Sequence, residues 1–130
     1  MNILIDTSVW VDYFRSGART SYLDFMIEEN LISTNALILA ELIPFLRLKG
    51  QSKLVGLLEK IRKFELNIDW HEIIDFQFKC LKNGINGVGI PDLIIAQNAI
   101  QNDSPLCSLD GHFIQMASKI KLPMFNEKPT

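Results

Sequence analysis

The sequence predicts an α/β fold, a three-layer sandwich in which helices cover both faces of a mostly parallel sheet. Three observations carry that expectation. The run Asn-Ile-Leu-Ile at 2–5 is apolar without alternation after its first residue, as in a strand covered on both sides. Other strand-length segments, at 31–34, 64–68 and 106–109, are separated by longer stretches with helical spacing. Several of those stretches stop at glycine: Gly17, Gly50 and Gly84. Short apolar strands alternating with helices give parallel pairing with helices packed on the sheet.

The elements follow in order. Thr7–Arg15 reads as a helix with Val9, Trp10 and Tyr13 or Phe14 on one side, broken at Gly17. Thr20–Glu29 is a short amphipathic helix with Tyr22 or Leu23, Met26 and Ile27 inward. Leu31–Thr34 is a second strand. Leu37–Lys49 is a helix that Pro44 is expected to kink at Ala40. Ser52–Lys63 carries Leu54, Leu57, Leu58 and Ile61 at helical spacing, and Phe64–Ile68 alternates as a strand. Trp70–Asn83 is helical, and the glycine-rich NGINGVG at 83–89 is a loop. Pro91 starts a helix to about Asn102. Leu106–Leu109 is a strand, 112–119 a short helix, and Met124–Phe125 a last edge strand.

A chain of 130 residues is expected to form one domain, spanning 1–130. Its formal net charge of −2 excludes a global basic field, so any polynucleotide contact must rest on a local patch. Arg15, Arg19, Lys82 and Lys119 are the candidates near the rim described below. Cys80 and Cys107 lack metal-ligand spacing and read as buried free thiols in a reducing cytosol. No basic segment followed by a long apolar run marks a signal peptide. The most apolar stretch, ALILAELIPFL at 36–46, is too short for a bilayer and contains Glu41. The expectation is a soluble, cytoplasmic protein.

In parallel α/β sheets, ligands bind beyond the carboxyl ends of the strands. Asp6 and Asp110 both follow strands, so the fold places them on one rim. Each also has an ordinary reading. Asp6 and Asp110 each stand where a helix N-cap would, and Asp92 lies in a first helical turn, where a carboxylate favours the helix dipole. Glu41 resists such a reading. It lies mid-helix among Leu37, Ile38, Leu39, Leu42, Ile43 and Phe45, a helix apolar nearly all round and so expected to be buried. A buried carboxylate needs compensation, from a distant cation or from a metal ion. Carboxylates gathered at one point repel each other unless a divalent cation joins them. Oxygen ligands suit Mg²⁺ or Mn²⁺. His71 and His112 have no partner at zinc-ligand spacing, and His112 reads as a surface residue near the site. Such an arrangement suits attack on phosphate esters, with a carboxylate orienting or deprotonating the water.

These residues resemble the PIN-domain ribonucleases, most closely the small VapC-like toxins of bacterial toxin–antitoxin pairs. The resemblance covers nearly the whole chain, through ILIDTSVWVDYFR at 3–15, ALILAEL at 36–42, IPDLIIAQNAI at 90–100 and LCSLDGHF at 106–113. It implies a parallel sheet of about five strands and a Mg²⁺- or Mn²⁺-dependent endoribonuclease acting on RNA. It also implies homodimers and inhibition by a cognate antitoxin encoded beside the toxin. Carried over residue by residue, Asp6 and Asp92 are metal ligands, Glu41 and Asp110 complete the acidic cluster, and Ser8 is a small hydroxyl residue near the metal. Ser108 stands where the family often has threonine.

The apolar helices carrying Leu42, Phe45, Leu46, Leu54, Leu57 and Leu58 offer more apolar surface than one core face needs. Core burial, an antitoxin groove and a dimer contact are all open readings. A phosphatase of the haloacid-dehalogenase type would need a second aspartate where Ser8 stands. A receiver-like signalling domain would need an N-terminal acid pair that is missing. The remaining alternative is a PIN-like module that binds RNA or a partner without turnover.

Overall fold

The computed structural model describes residues 2–126, so residues 1 and 127–130 of the expected domain lie outside the described residues. Four strands form one parallel sheet: β1 (Ile3–Ile5), β2 (Ile32–Asn35), β3 (Arg62–Phe64) and β4 (Leu106–Cys107). Their order is β3-β2-β1-β4. The helices are α1 (Thr7–Arg15), α2 (Leu23–Glu28), α3 (Ala36–Leu48), α4 (Ser52–Glu59), α5 (Trp70–Lys82), α6 (Ile90–Gln101) and α7 (Gly111–Ile120).

The central strand, β1, pairs with β2 through Ile3–Ile32 and Leu4–Ser33 and with β4 through Leu4–Leu106 and Ile5–Cys107. Ile3, Leu4 and Ile5 are all buried, so successive side chains find cover on both faces of the sheet. That is why the opening run is apolar rather than alternating. α3 packs against α1 and α4 and meets α6, and α5 packs against α6 and α7. Ala96 and Ala99 are fully buried, and their small side chains let α6 sit close to its neighbours. Cys80 and Cys107 are buried and are not joined in a disulfide, and Cys107 Sγ lies 3.3 Å from the Tyr22 hydroxyl. No helix among the described residues is long and apolar enough to cross a membrane.

The sheet differs from the expectation in two places. The expected edge strand at Met124–Phe125 is a single parallel bridge from Met124 to Leu106, giving four strands rather than about five. β4 is only two residues long and Pro123 has no N–H to donate, so there is little ladder to extend. The third strand is Arg62–Phe64, not Phe64–Ile68, and the helix before it ends at Glu59, not Lys63. The backbone after Phe64 is satisfied by amide side chains of α6 instead of by a strand. Asn98 Nδ2 donates to the Glu65 carbonyl (3.0 Å), and Gln101 Nε2 donates to that of Asn67 (2.8 Å). Gln97 accepts from the Asp69 N–H and donates to its carbonyl, each at 3.1 Å.

Helix limits also have local causes. α2 begins at Leu23, not Thr20, because residues 18–22 form turns that Asp12 holds. Its Oδ2 accepts from Thr20 Oγ1 at 2.8 Å and from the Arg19 N–H at 3.2 Å. Leu23 and Met26 point inward as expected, but Ile27 is exposed. α3 continues through Pro44 without interruption; the missing N–H removes the bond to the Ala40 carbonyl and leaves the rest of the helix in place. Its start is fixed by Asn35, fully buried, whose Oδ1 accepts from the Ile38 N–H at 2.9 Å and whose Nδ2 donates to Asn98 Oδ1 at 2.9 Å.

Asn35 therefore caps α3 and ties the end of β2 to α6. Asn35→Ala removes the cap and leaves a buried Asn98 oxygen unpaired, for an expected loss of about 2–4 kcal/mol. Urea unfolding measures it; a loss below about 0.5 kcal/mol would show that neither bond matters to stability.

Candidate active site

Because the strands are parallel, β1, β2 and β4 end on one rim, and the residues that follow them meet there. Asp6 follows β1 directly and is 5% exposed. It occupies the N-cap position of α1, yet its side chain makes no capping bond. Its Oδ2 instead accepts from Ser8 Oγ and from Ser108 Oγ, each at 2.8 Å. Each serine oxygen is itself pinned, Ser8 by the Leu109 N–H and Ser108 by the Asp110 N–H, both at 3.0 Å. A hydroxyl has one proton to give, and both give it to Asp6. The carboxylate is thus fixed in position by the backbone after β4, while its Oδ1 takes neither bond.

Asp110 does cap α7. Its Oδ1 accepts from the His112 N–H at 2.9 Å and lies 3.1 Å from His112 Nδ1. Asp92 stands in the first turn of α6, where Gly89 is the N-cap and Pro91 helps start the helix. Ligand atoms of Asp92, Asp110 and His112 all lie within 4.8 Å of one another. Glu41 reaches the same region from α3, where Thr7 Oγ1 donates to its Oε1 at 3.1 Å. Thr7 and Ser8 therefore spend their hydroxyls on the acids of this rim.

One expectation is corrected here. Glu41 is exposed, not buried. α3 is apolar in composition but leaves Phe45 and Leu48 exposed as well, so its apolar residues do not all face the core. The case for Glu41 rests on its neighbours rather than on burial of the whole residue. Local desolvation raises its proton affinity above the ordinary glutamate range, and the charges of Asp6 and Asp92 raise it further against the Thr7 hydrogen bond. Asp92 is raised too. Burial contributes most, followed by the Asp110 charge, with a smaller push from Asp6; the Gly89 backbone and His112 act the other way. All four acids are thus within electrostatic reach of at least one other.

The basic candidates divide. Arg15 and Arg19 line a depression of about 710 Å³ that also holds Ser8 and Asp110. Lys82 lies over the Phe78 ring instead, 6.0 Å from its centroid, and Lys119 is in the last turn of α7, the opposite end from Asp110. The residue that sequence reasoning set aside is His112. Its signal was the spacing Asp110-Gly111-His112 at a helix start, which turns the ring back toward the capping carboxylate.

A parallel α/β sheet with an acidic rim defines the class of protein. The PIN domain family model matches residues 3–119, and the chain belongs to that family, whose members are in general nucleases. Solved structures share the fold. VapBC2 from Rickettsia felis, bound to a DNA fragment from its promoter, is similar with a TM-score of 0.75 at 20% identity, over 98% of this chain and 100% of that one. FitAcB from Neisseria gonorrhoeae gives 0.71 at 22%, over 95% and 96%. DNA-bound VapBC from Salmonella typhimurium gives 0.72 at 12%, over 97% of each chain. No curated protein matches the chain.

The raised proton affinities of Asp92 and Glu41 set a sign for stability. A carboxyl that holds its proton more tightly when folded favours the folded state below its unfolded pKa, and that contribution is lost as pH rises through the folded value. Without divalent ions, the protein should lose stability from the ordinary carboxylate range toward neutrality on account of these two groups. Asp92→Asn removes part of that loss. In EDTA at neutral pH it should melt at or above wild type, and the gap should close in mild acid. A variant clearly less stable than wild type in such melts would remove repulsion as the governing interaction.

Proposed function

We propose that this chain is a metal-dependent endoribonuclease, the toxin of a toxin–antitoxin pair acting in the cytoplasm. The observation that carries the reading is the convergence of Asp6, Glu41, Asp92 and Asp110, from four separate segments, at one rim where burial and neighbouring charge raise the proton affinity of Glu41 and Asp92. The donor set fits a hard divalent ion. It is rich in carboxylate oxygen, and one oxygen of Asp6 stays clear of the serines that fix the other. Asp6, Asp92, Glu41 and Asp110 would hold Mg²⁺ or Mn²⁺, with Ser8 orienting Asp6. The bound ion would supply charge opposite the phosphoryl oxygens and a more acidic water.

The chain's own residues do the rest. Arg15 and Arg19 bind the RNA backbone beside the acids. Ser8 and Ser108 hold the Asp6 carboxylate still. Glu41, with Oε1 taken by Thr7, has Oε2 to accept the proton of the attacking water. Purified protein should cut RNA with Mg²⁺ or Mn²⁺ and not in EDTA, and Asp92→Asn should lower the rate at least about hundred-fold. Metal-dependent stabilisation without cleavage of any RNA would favour the module that binds without turnover.

Two apolar surfaces suit the two protein partners. Val11, Phe14, Leu42, Phe45, Leu46 and Leu54 line a groove of about 800 Å³ that runs up to Thr7, Arg15 and Glu41. An apolar face of an antitoxin segment fits there, and its end would reach the acids. Elsewhere, Trp70, Ile74, Phe78 and Leu81 form an exposed stripe along α5. Glu72 and Asp75 lie in the first half of that helix, and Lys79 and Lys82 in the second. Asp75 is already paired with Lys79 and Glu72 with Gln97 of α6, so antiparallel pairing of two copies about a two-fold axis would rest on burying the apolar stripe against its counterpart. Phe45→Glu should weaken binding of the adjacent-encoded antitoxin by about tenfold or more and leave the dimer intact, whereas Phe78→Glu should do the reverse. Light scattering and titration of the two variants separate the assignments, and a swapped or absent effect removes them.

A further inference from the structure

We propose that His112 is a nitrogen ligand at this centre and gives it a preference for Mn²⁺ over Mg²⁺. The inference rests on the metal-binding reading above. His112 Nδ1 lies 3.1 Å from Asp110 Oδ1, and one ring nitrogen of His112 and one carboxylate oxygen each of Asp110 and Asp92 lie within 4.8 Å of one another. Neighbouring donors on one octahedral ion, each about 2.1 Å from it, are themselves about 3 Å apart. The Asp110–His112 separation suits two ligands sharing an ion as well as a direct hydrogen bond, and Asp92 lies close enough to be a third donor.

The surrounding structure holds the ring in this pose. The cap of α7 fixes Asp110 Oδ1 on the His112 N–H, so the helix start places carboxylate and imidazole side by side. On the other edge of the ring lies the glycine-rich loop at 83–89. Gly87 has φ +79, and a Cβ there would sit 3.5 Å from His112 Nε2. The loop thus comes up against the Nε2 edge with its smallest residue, in a backbone conformation that favours glycine. Nδ1 is the nitrogen that faces Asp110. His112 and Asp110 side chains are 37% and 35% exposed, half-covered groups at the mouth of the site rather than freely solvated ones.

The chemical consequence follows from donor type. Mg²⁺ is bound by oxygen and water, whereas imidazole suits transition ions. Adding one nitrogen to a set of carboxylates leaves Mn²⁺ acceptable and makes Mg²⁺ less so. The bland reading, an ion pair of His112 with Asp110 alone, gives no such selectivity.

The test uses the whole protein with Mn²⁺ as the probe. Pulsed EPR of the bound Mn²⁺ should show coupling to a directly bonded ¹⁴N nucleus, absent from His112→Gln and retained in His71→Gln. In competition titrations His112→Gln should lose about tenfold in Mn²⁺ affinity with little change for Mg²⁺. If wild type binds Mn²⁺ in an Asp92-dependent way without nitrogen coupling, His112 is only a cap partner and the metal reading stands. If wild type binds no Mn²⁺, the metal reading itself falls and takes this inference with it.

Discussion

Mutual repulsion among carboxylates on one rim is the constraint to which the rest of the site answers. A parallel sheet puts all its carboxyl ends on one side, and the chain places Asp6 and Asp110 after two adjacent strands there. Helices α3 and α6 then bring Glu41 and Asp92 to the same region. Nothing in the backbone offsets that concentration of charge completely. The neighbours that do help are small and close: Ser8 and Ser108 on Asp6, Thr7 on Glu41, the Gly89 backbone on Asp92 and the α7 N–H groups on Asp110. Each restrains an acid without neutralising it. Holding these acids close together costs the folded state stability wherever their charge is not offset.

The same economy of contacts explains the buried polar residues of α6. Gln97 and Asn98 are 1% exposed, an unusual placement for amides. Their partners are the backbone between β3 and α5, the capping Asn35 and Glu72. They let a connection run beside the sheet without forming a strand and without leaving its peptide groups unpaired. They also hold α6, and with it Asp92, against β2 and α3. Fixing the Asp92 end of α6 is thus a task shared by residues one to two turns away from it.

α3 serves three surfaces at once. Leu42 and Leu46 face the core, Glu41 faces the rim, and Phe45 faces the groove. An apolar helix that is not wholly buried carries excess hydrophobic surface into solvent, a state that a bound partner segment relieves. The groove meets the rim at Glu41, so a partner seated in the one lies next to the chemistry of the other. If the groove takes the antitoxin as proposed, its occupancy would cover the acids with no change of shape.

Much of this was legible in the sequence. The unbroken apolar run at 2–5 fixed a doubly covered central strand, and strand–helix alternation fixed parallel pairing. From these alone Asp6 and Asp110 had to share a rim. The order and spacing of the four acidic motifs pointed to the family. Tertiary structure decided the rest, because the deciding quantities are distances between segments remote in the chain. Hydropathy could not tell a buried helix from one flanking an open groove, so Glu41 was expected inside and is exposed. Alternation at 64–68 looked like a strand, but amides from α6 claimed that backbone. Local sequence left Asp6 as either cap or site residue. Only the approach of Ser108 from the far end of the chain showed that its carboxylate is spent on the rim and not on the helix.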